Sequence, residues 1–527
     1  MADPLRDLTV GELLAKQACI QADAPAVEDY GVTLTYRALD ERASALAGGL
    51  MSCGLRRGDR LAVLSENRRE YLEIEMACAK TGVIAACLNW RMSDEHLGHC
   101  ARLVDPRLLI VSERYAERGS SFAGDIEHVV ELGDQYEGLL SDGSDSSPVV
   151  AVEPEDGLLI LYTSGTTGLP KGVLISHRAM VWRAALYMAE THITRDDCFV
   201  AWSPLFHMAG SDYAIGTMLL GGKVVLVDGV DLPRLLDVIQ REQIGYLPVV
   251  SGMIDRLAEA LKAGNIRPRG IRLIGAMADL VPPDRLAEIT TLLGAPFLNS
   301  FGMTEVGTGP ASGNTIGVGE KPTTLAKRES TFCLVRLVDD QDNTVAPGEL
   351  GEAVVRGPSL FTEYWNDPEA TTAAFRGGWF HTGDVFVRHD DGGLDWVERT
   401  SFMIKSGGEN IYPAEIERIL LADPRISQAC VVPKRDPNWG EVPVAFVARL
   451  DTTLTEAEVI ELCRDRLGGY KRPKEVRFIE PDEFPRNAAG KVEKRTLVAM
   501  LGSESVTEDP EPSPFSRGEE GPRPPAV

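Results

Sequence analysis

Between Arg60 and Val111 the chain alternates short apolar runs with longer stretches whose apolar positions return every three or four residues. The short runs suit strands buried on both faces, and the longer stretches suit helices with one buried face. The pattern predicts a strand over Arg60 to Ser65, a helix over Arg68 to Gly82, a strand over Val83 to Leu88, a helix over Ser93 to Leu103 and a strand over Leu108 to Val111. Ser93, with Glu95 and His96 behind it, stands where a helix cap belongs. Such alternation winds a parallel sheet with helices on its faces.

After a linker over Ser141 to Pro154, rich in Ser, Asp, Gly and Pro, a strand at Leu158 to Leu161 is expected to begin a new structural segment, with strand character again at Gly172 to Ser176. The same rhythm then predicts helix Ala179 to Ala189, strands Cys198 to Ala201 and Val224 to Val227, helix Pro233 to Glu242 and strand Arg272 to Ile274. Beyond Gly317 the pattern becomes alternating strands, such as Cys333 to Val338 and Glu352 to Arg356, broken by Pro347-Gly348 and Gly392-Gly393. A barrel-like β subdomain is expected there. Past the polar, glycine-bearing stretch Ser401 to Ile411, Pro413 suits the first turn of a helix over Ala414 to Leu421. Strands Ala429 to Val432, Pro443 to Arg449 and Glu475 to Ile479, with helix Glu456 to Leu467, complete a small α+β unit, and the Glu/Pro/Ser-rich tail Ser503 to Val527 is expected to be disordered.

The expected fold is therefore α/β, with a large N-terminal domain (1–400) of two doubly wound α/β subdomains plus a β-barrel-like subdomain, a small α+β C-terminal domain (401–502) and a tail (503–527). Composition agrees: 527 residues, 44% hydrophobic, can fill several cores. A formal net charge of −25 argues against nucleic acid or an anionic membrane surface as partner. Nine scattered cysteines, without a Cys-x-x-Cys pair, suggest reduced and mostly buried thiols. Neither a signal-peptide pattern nor a run of ~18 apolar residues is present. A cytoplasmic location is expected, and a homodimer is one assembly open to the chain.

Tyr162 to Gly172 concentrates hydroxyls, glycines and one lysine directly after an apolar run. Gly165 and Gly168 can turn successive N–H groups toward one point; Thr163, Ser164, Thr166 and Thr167 add hydroxyls, and Lys171 adds a positive charge. An anion is the matching guest, although an ordinary turn has the same composition. Leu169 and Pro170 separate Gly168 from Lys171, so the loop is not a P-loop.

This loop is followed in order by Pro204-Leu205-Phe206-His207, Asn299 to Glu305, Gly378 to Asp384, Ser406 to Pro413 and Pro485 to Lys491. The series resembles the adenylate-forming superfamily, specifically its acyl-CoA synthetases, over residues 5 to 500. The resemblance implies ATP, Mg²⁺ and coenzyme A as cofactors and a small-molecule carboxylic acid as substrate. The acid oxygen attacks the α-phosphate to give an acyl-adenylate and pyrophosphate, and the thiol then displaces AMP. Loading of a separate carrier protein and a non-catalytic nucleotide-binding role are the alternatives.

On that resemblance Thr163, Ser164, Gly165, Thr166, Thr167, Gly168 and Lys171 cradle the β- and γ-phosphates. Thr304 bonds the α-phosphate, Glu305 holds Mg²⁺, and Gly275, Phe301 and Gly302 belong to the nucleotide site. Phe301 stands where the family usually has Tyr. Asp384 takes the ribose hydroxyls, Arg399 assists at ribose and phosphate, and Lys491 bridges the attacking carboxylate and the α-phosphate. The small domain is implied to rotate about Ser401, after which Gly407 and Gly408 line the pantetheine channel. Arg399-Thr400-Ser401-Phe402 departs from the family's charged hinge followed by Asp. His207 occupies the gate between nucleotide and acyl pockets, where amino-acid-activating relatives carry Asp. Gly210, Ser211, Gly252, Ala276 and Met277 line the acyl pocket by resemblance, and Asp212 suits a substrate hydroxyl or, more simply, a helix-surface or cap role. Small residues and the lack of a base there point to a mostly apolar medium-chain, cyclic or aromatic acid.

Overall fold

A computed structural model describes residues 8–124, 126–143, 150–164, 169–279, 281–406, 409–464, 466–486 and 492–501, without the side chain of Ser164. Two large sheets dominate. The first runs Glu363–Tyr364, Pro170–Ser176, Gly157–Ser164, Ile84–Cys87, Arg60–Leu64, Leu108–Val111, His128–Glu131; its strands from Gly157–Ser164 onward are parallel. The second runs Gly307–Ile316, Phe297–Met303, Gly270–Ile274, Gln243–Leu247, Cys198–Ala201, Lys223–Leu226, Pro25–Asp29, Val32–Thr35, parallel except at its two edges.

The strands of the parallel sheets were legible because their central residues are buried on both faces, as at Leu108–Val111 and Cys198–Ala201. The Ser93 cap forms, its hydroxyl accepting the His96 N–H. Two expectations change. The Gly157–Ser164 strand does not begin a new segment: it pairs with Ile84–Cys87 and extends the first sheet, while Pro170–Ser176 folds back antiparallel to it. A helix, Asp134–Gly143, occupies the start of the stretch read as linker.

The largest core lies between the sheets. It joins Leu61, Cys87 and Leu159 of the first sheet to Phe199, Val224 and Tyr246 of the second through Tyr71, Met180, Ala184, Ile215 and Met218, all from helices Arg69–Thr81, His177–Thr191 and Met208–Leu220. At the C-terminal ends of the strands the two sheets share Asn67. Its amide Nδ2 donates to the carbonyls of Ala201, Ser203 and Val227 at 3.0, 2.8 and 3.1 Å, and its Oδ1 accepts the Leu205 N–H at 2.9 Å.

A four-stranded antiparallel sheet, Leu334–Val338, Leu350–Arg356, Phe380–Arg388, Leu394–Arg399, forms the third part of the large unit. A single 3₁₀ turn, Thr400–Phe402, then leads to the small sheet built on Ile426–Asp436 and Gly440–Arg449. Helix Pro413–Leu421 starts at Pro413, and the helix read from Glu456 to Leu467 ends at Glu461. The expected tail falls outside the described residues, and among those described no helix is long and apolar enough to cross a membrane. All nine cysteines are free, seven of them buried.

Asn67→Ala removes a donor from the Ser203 and Val227 carbonyls and the acceptor of the Leu205 N–H in the joint between the sheets, while the Ala201 carbonyl keeps the Val227 N–H. It is expected to destabilise the large unit by about 2–4 kcal/mol. Calorimetry should show a lowered unfolding transition, and an unchanged one would show that this joint carries little.

Candidate active site

Thr163 and Lys171 are cross-strand partners at the end of the first sheet, and Ser164 faces Pro170. Gly165, Thr166, Thr167 and Gly168, between them in sequence, lie outside the described residues, as do Gly407, Gly408 and Lys491. Lys171 Nζ sits 3.5 Å from an Asp367 carboxylate oxygen and 5.1 Å from the centroid of the Tyr364 ring. The Tyr364 hydroxyl donates to Glu305 Oε1 at 3.0 Å. Lys171 and Glu305, 134 positions apart, are thus bridged by one aromatic residue that the sequence reading missed. Nothing in Glu363-Tyr364-Trp365 marks it; only the pairing of Glu363–Tyr364 with Val173 and Leu174 brings it there.

Thr304 and Glu305 follow the Phe297–Met303 strand and are buried. Burial raises the pKa of Glu305, while its backbone N–H, Arg399, the Tyr364 hydroxyl and Arg183 act in the opposite direction. Among the described residues Glu305 makes no ion pair. Mg²⁺ takes hard oxygen ligands and is usually held by one or two carboxylates together with substrate phosphates. A buried carboxylate without a paired cation fits that demand, and the described residues offer no cluster of three or more His, Cys, Asp or Glu for a metal.

Asp384 and Arg399 are register partners in the antiparallel sheet. Arg399 Nε donates to Asp384 Oδ2 at 3.2 Å, and Trp396 Nε1 donates to Oδ1 at 3.0 Å. Asp384 raises the pKa of the half-exposed Arg399, with partial desolvation acting the other way. The preceding turn is built by Glu352, which accepts the Gly383 N–H at 2.9 Å and contacts His381 Nδ1 at 2.9 Å. Gly383, at φ +71°, takes a conformation that a side chain would strain.

The Gly275 loop is fixed from the strand beside it. Asn299 Oδ1 accepts the Ala278 N–H at 3.0 Å, and the Ser300 N–H donates to the Ala276 carbonyl at 3.0 Å. Gly275 has φ +107°, and a Cβ there would come within 2.6 Å of the Phe297 ring. Asp279, three residues beyond Ala276, forms a bidentate pair with Lys327 at 2.7 and 2.6 Å; both side chains are buried. The sequence reading singled out neither member of that pair. Phe301 is buried edge-on to Phe386, ring centroids 5.0 Å apart, and Met277 packs on the same core. At Gly302 a Cβ would meet the Gly307 carbonyl at 2.4 Å.

His207 caps helix Met208–Leu220, its Nδ1 accepting the Ala209 N–H at 3.1 Å. That bond places any ring proton on Nε2. Gly210 allows close backbone packing, because its Cβ would lie 2.3 Å from the Pro204 carbonyl. Ser211 is buried with its hydroxyl 3.4 Å from the His207 carbonyl, and Gly252 is exposed at the start of helix Ser251–Ala263. Asp212 lies neither on the helix surface nor at its cap: it is buried and ion-paired with Arg183 at 3.1 Å.

Where the antiparallel sheet meets the small unit, Lys494 Nζ reaches Glu398 at 2.8 Å and Glu417 at 3.2 Å. It also stands 5.5 Å from the centroid of the Phe402 ring. Burial opposes the charge of Lys494, yet Glu417 and Glu398 hold its pKa above the usual range. Phe402, the departure from the expected acidic residue, covers this cluster.

Residues 14–365 match the family described as AMP-binding enzyme, and residues 415–491 match the AMP-binding enzyme C-terminal domain. The chain belongs to the AMP-binding enzyme family. This AMP-binding enzyme is 35% identical over 500 residues to a feruloyl-CoA synthase from Amycolatopsis sp, covering 94% of this chain and 100% of the relative. It is 34% identical over 511 residues to an indoleacetate–CoA ligase from Aromatoleum aromaticum, covering 93% and 98%. Among solved structures, o-succinylbenzoate CoA synthetase from Bacillus subtilis with its acyl-adenylate intermediate aligns with a TM-score of 0.78 at 27% identity, over 92% of this chain and 97% of that one.

Because burial already favours the protonated form of Glu305, acid is expected to weaken binding of Mg²⁺-ATP to the AMP-binding enzyme. Tyr364→Phe removes a bond that favours the charged form, so its Mg²⁺-ATP affinity should fall further at pH 5.5 than the parent's while differing less at pH 7.5. Calorimetric titration at both values checks this, and parallel losses at the two would exclude the Tyr364 bond as the cause.

Proposed function

We propose that this AMP-binding enzyme is an ATP-dependent acid–CoA ligase that activates an aromatic or otherwise mostly apolar carboxylic acid as its acyl-adenylate. The observation that carries the reading is the grouping of Lys171, Tyr364 and Glu305 in contact, with the charge of Arg399, which holds Asp384, acting on Glu305; Lys171, Glu305 and Asp384 each suit one part of a nucleoside triphosphate.

In the first step a carboxylate oxygen of the acid attacks the α-phosphorus and the bond to pyrophosphate breaks. Lys171 and the loop before it neutralise the leaving pyrophosphate, and the Thr304 hydroxyl donates to the α-phosphate. Glu305 would hold Mg²⁺, which supplies positive charge to the phosphates. Asp384 accepts from the ribose hydroxyls, its carboxylate already oriented by Arg399 and Trp396. Lys491 brings a charge to the attacking oxygen from the small unit. In the second step the coenzyme A sulfur attacks the acyl carbon and AMP leaves. The 3₁₀ turn Thr400–Phe402 is the one short link between the antiparallel sheet and the small sheet among the described residues, which supports a division into 1–400 and 401–502 with the hinge at Ser401.

The relatives named for ferulate and indoleacetate support a ring-bearing acid. The segments 210–214, 249–252 and 275–279, which the resemblance makes pocket-lining, hold no Lys or Arg, and the two cations that reach them, Arg183 and Lys327, are already paired with Asp212 and Asp279. Nine free thiols suit the reducing conditions of a cytoplasm.

Purified protein with Mg²⁺-ATP and a panel of aryl and alkyl acids should release AMP and pyrophosphate only with a cognate acid. The thioester should appear by mass spectrometry only when coenzyme A is present. AMP release that needs a carrier protein instead would favour the carrier-loading alternative, and ATP binding without pyrophosphate exchange would favour a non-catalytic role. Lys491→Ala is expected to abolish adenylation while thioester formation from supplied acyl-adenylate persists; equal loss of both steps would defeat the two-step assignment.

A further inference from the structure

Arg183 is the largest fully buried side chain of the described residues, with 1% of its side chain exposed. It lies on helix His177–Thr191, directly after the strand that carries Lys171, and its guanidinium reaches three other segments. Nη2 donates to the Thr304 carbonyl at 2.9 Å, Nε to the Ser359 carbonyl at 3.0 Å, and Nη1 to Asp212 Oδ2 at 3.1 Å. Room for it comes from Gly307, where a Cβ would sit 2.9 Å from Arg183 Cγ.

Two neighbouring peptide planes are fixed together in this way. The Thr304 carbonyl, held by Arg183, belongs to the peptide before the Glu305 Cα. The Glu305 carbonyl, which accepts the Phe361 N–H at 2.8 Å, belongs to the peptide after it. Phe361 lies two residues beyond Ser359, which Arg183 also holds. With both flanking planes fixed, φ and ψ of Glu305 are fixed, and with them the direction of its Cβ. Asp212 balances the guanidinium charge, so Arg183 is a brace and not a free cation for substrate.

We propose that Arg183 is a positioning residue for adenylation: it sets the Thr304–Glu305 peptide so that the hydroxyl and the carboxylate meet the α-phosphate and its Mg²⁺ together. The inference rests on the roles given above to Thr304 and Glu305. Because Asp212 stands on the helix capped by His207, the brace also ties the acyl-side helix to the phosphate side.

Arg183→Lys keeps a charge for Asp212, but one ammonium cannot span acceptors on three segments. Arg183→Met with Asp212→Leu removes the pair as a unit, a replacement that buried ion pairs tolerate for folding. Both variants should keep a cooperative thermal transition. By calorimetry Mg²⁺-ATP affinity should fall by about 10-fold or more, as for lost supports of metal ligands. Adenosine affinity should change less than about twofold, since its contacts lie at Asp384 and Phe301. In pyrophosphate exchange kcat should fall while KM for the acid holds. Folded variants with unchanged Mg²⁺-ATP affinity, or with equal losses for adenosine and Mg²⁺-ATP, would overturn the proposal. If the parent protein shows no exchange with any acid yet Arg183→Lys still weakens Mg²⁺-ATP selectively, the ligase reading fails and the brace stands.

Discussion

A carboxylate taken out of water loses hydration worth several kcal/mol and must find a cation or hydrogen-bond donors in return. Asp212, Asp279, Asp384 and Glu398 are all buried, and each has a cation from another segment: Arg183, Lys327, Arg399 and Lys494. The pairs join helix to helix, the Gly275 loop to the segment that bridges Leu394, strand to strand, and the antiparallel sheet to the small unit. Buried pairs of this kind add little net stability but are costly to break singly. Their effect is geometric: each ties two segments together, and the charges of Arg183 and Arg399 also act on Glu305.

Glu305 differs from these four in having hydrogen-bond donors but no ion pair among the described residues. It is buried, it receives a tyrosine hydroxyl, and the charges of Arg399 and Arg183 act on it from nearby without pairing. Its pKa is raised by burial, so the site favours whatever brings positive charge with it. On the proposed reading, a metal–nucleotide complex would supply that charge, and its binding would be linked to full ionisation of the carboxylate.

Much of the fold could be read from the chain because parallel strands buried on both faces write themselves as apolar runs. Where burial is partial the reading failed. The strand Pro25–Asp29 carries Pro, Glu and Asp, yet it pairs with Val224 to Leu226, about 200 positions later. The Gly157–Ser164 strand was recognised but read as opening a new segment, since period alone says nothing of partners. In the site, Thr304, Glu305 and Asp384 could be singled out as members of ordered motifs, and Arg399 only by its correspondence to the family. Tyr364, Arg183 and Lys327 were not, because each gains its role only from a contact with a residue 48 to 121 positions away.

Phe402 bears on how the two units can be arranged. The link Thr400–Phe402 separates Glu398 from Lys494, so a large turn about it cannot leave their 2.8 Å contact intact. Glu398 alone would give up its cation in such a turn, because Glu417 lies on the small unit and travels with Lys494. On the proposed rotation about Ser401, the loss of that one buried contact beside the Phe402 ring is what leaving the described orientation would cost.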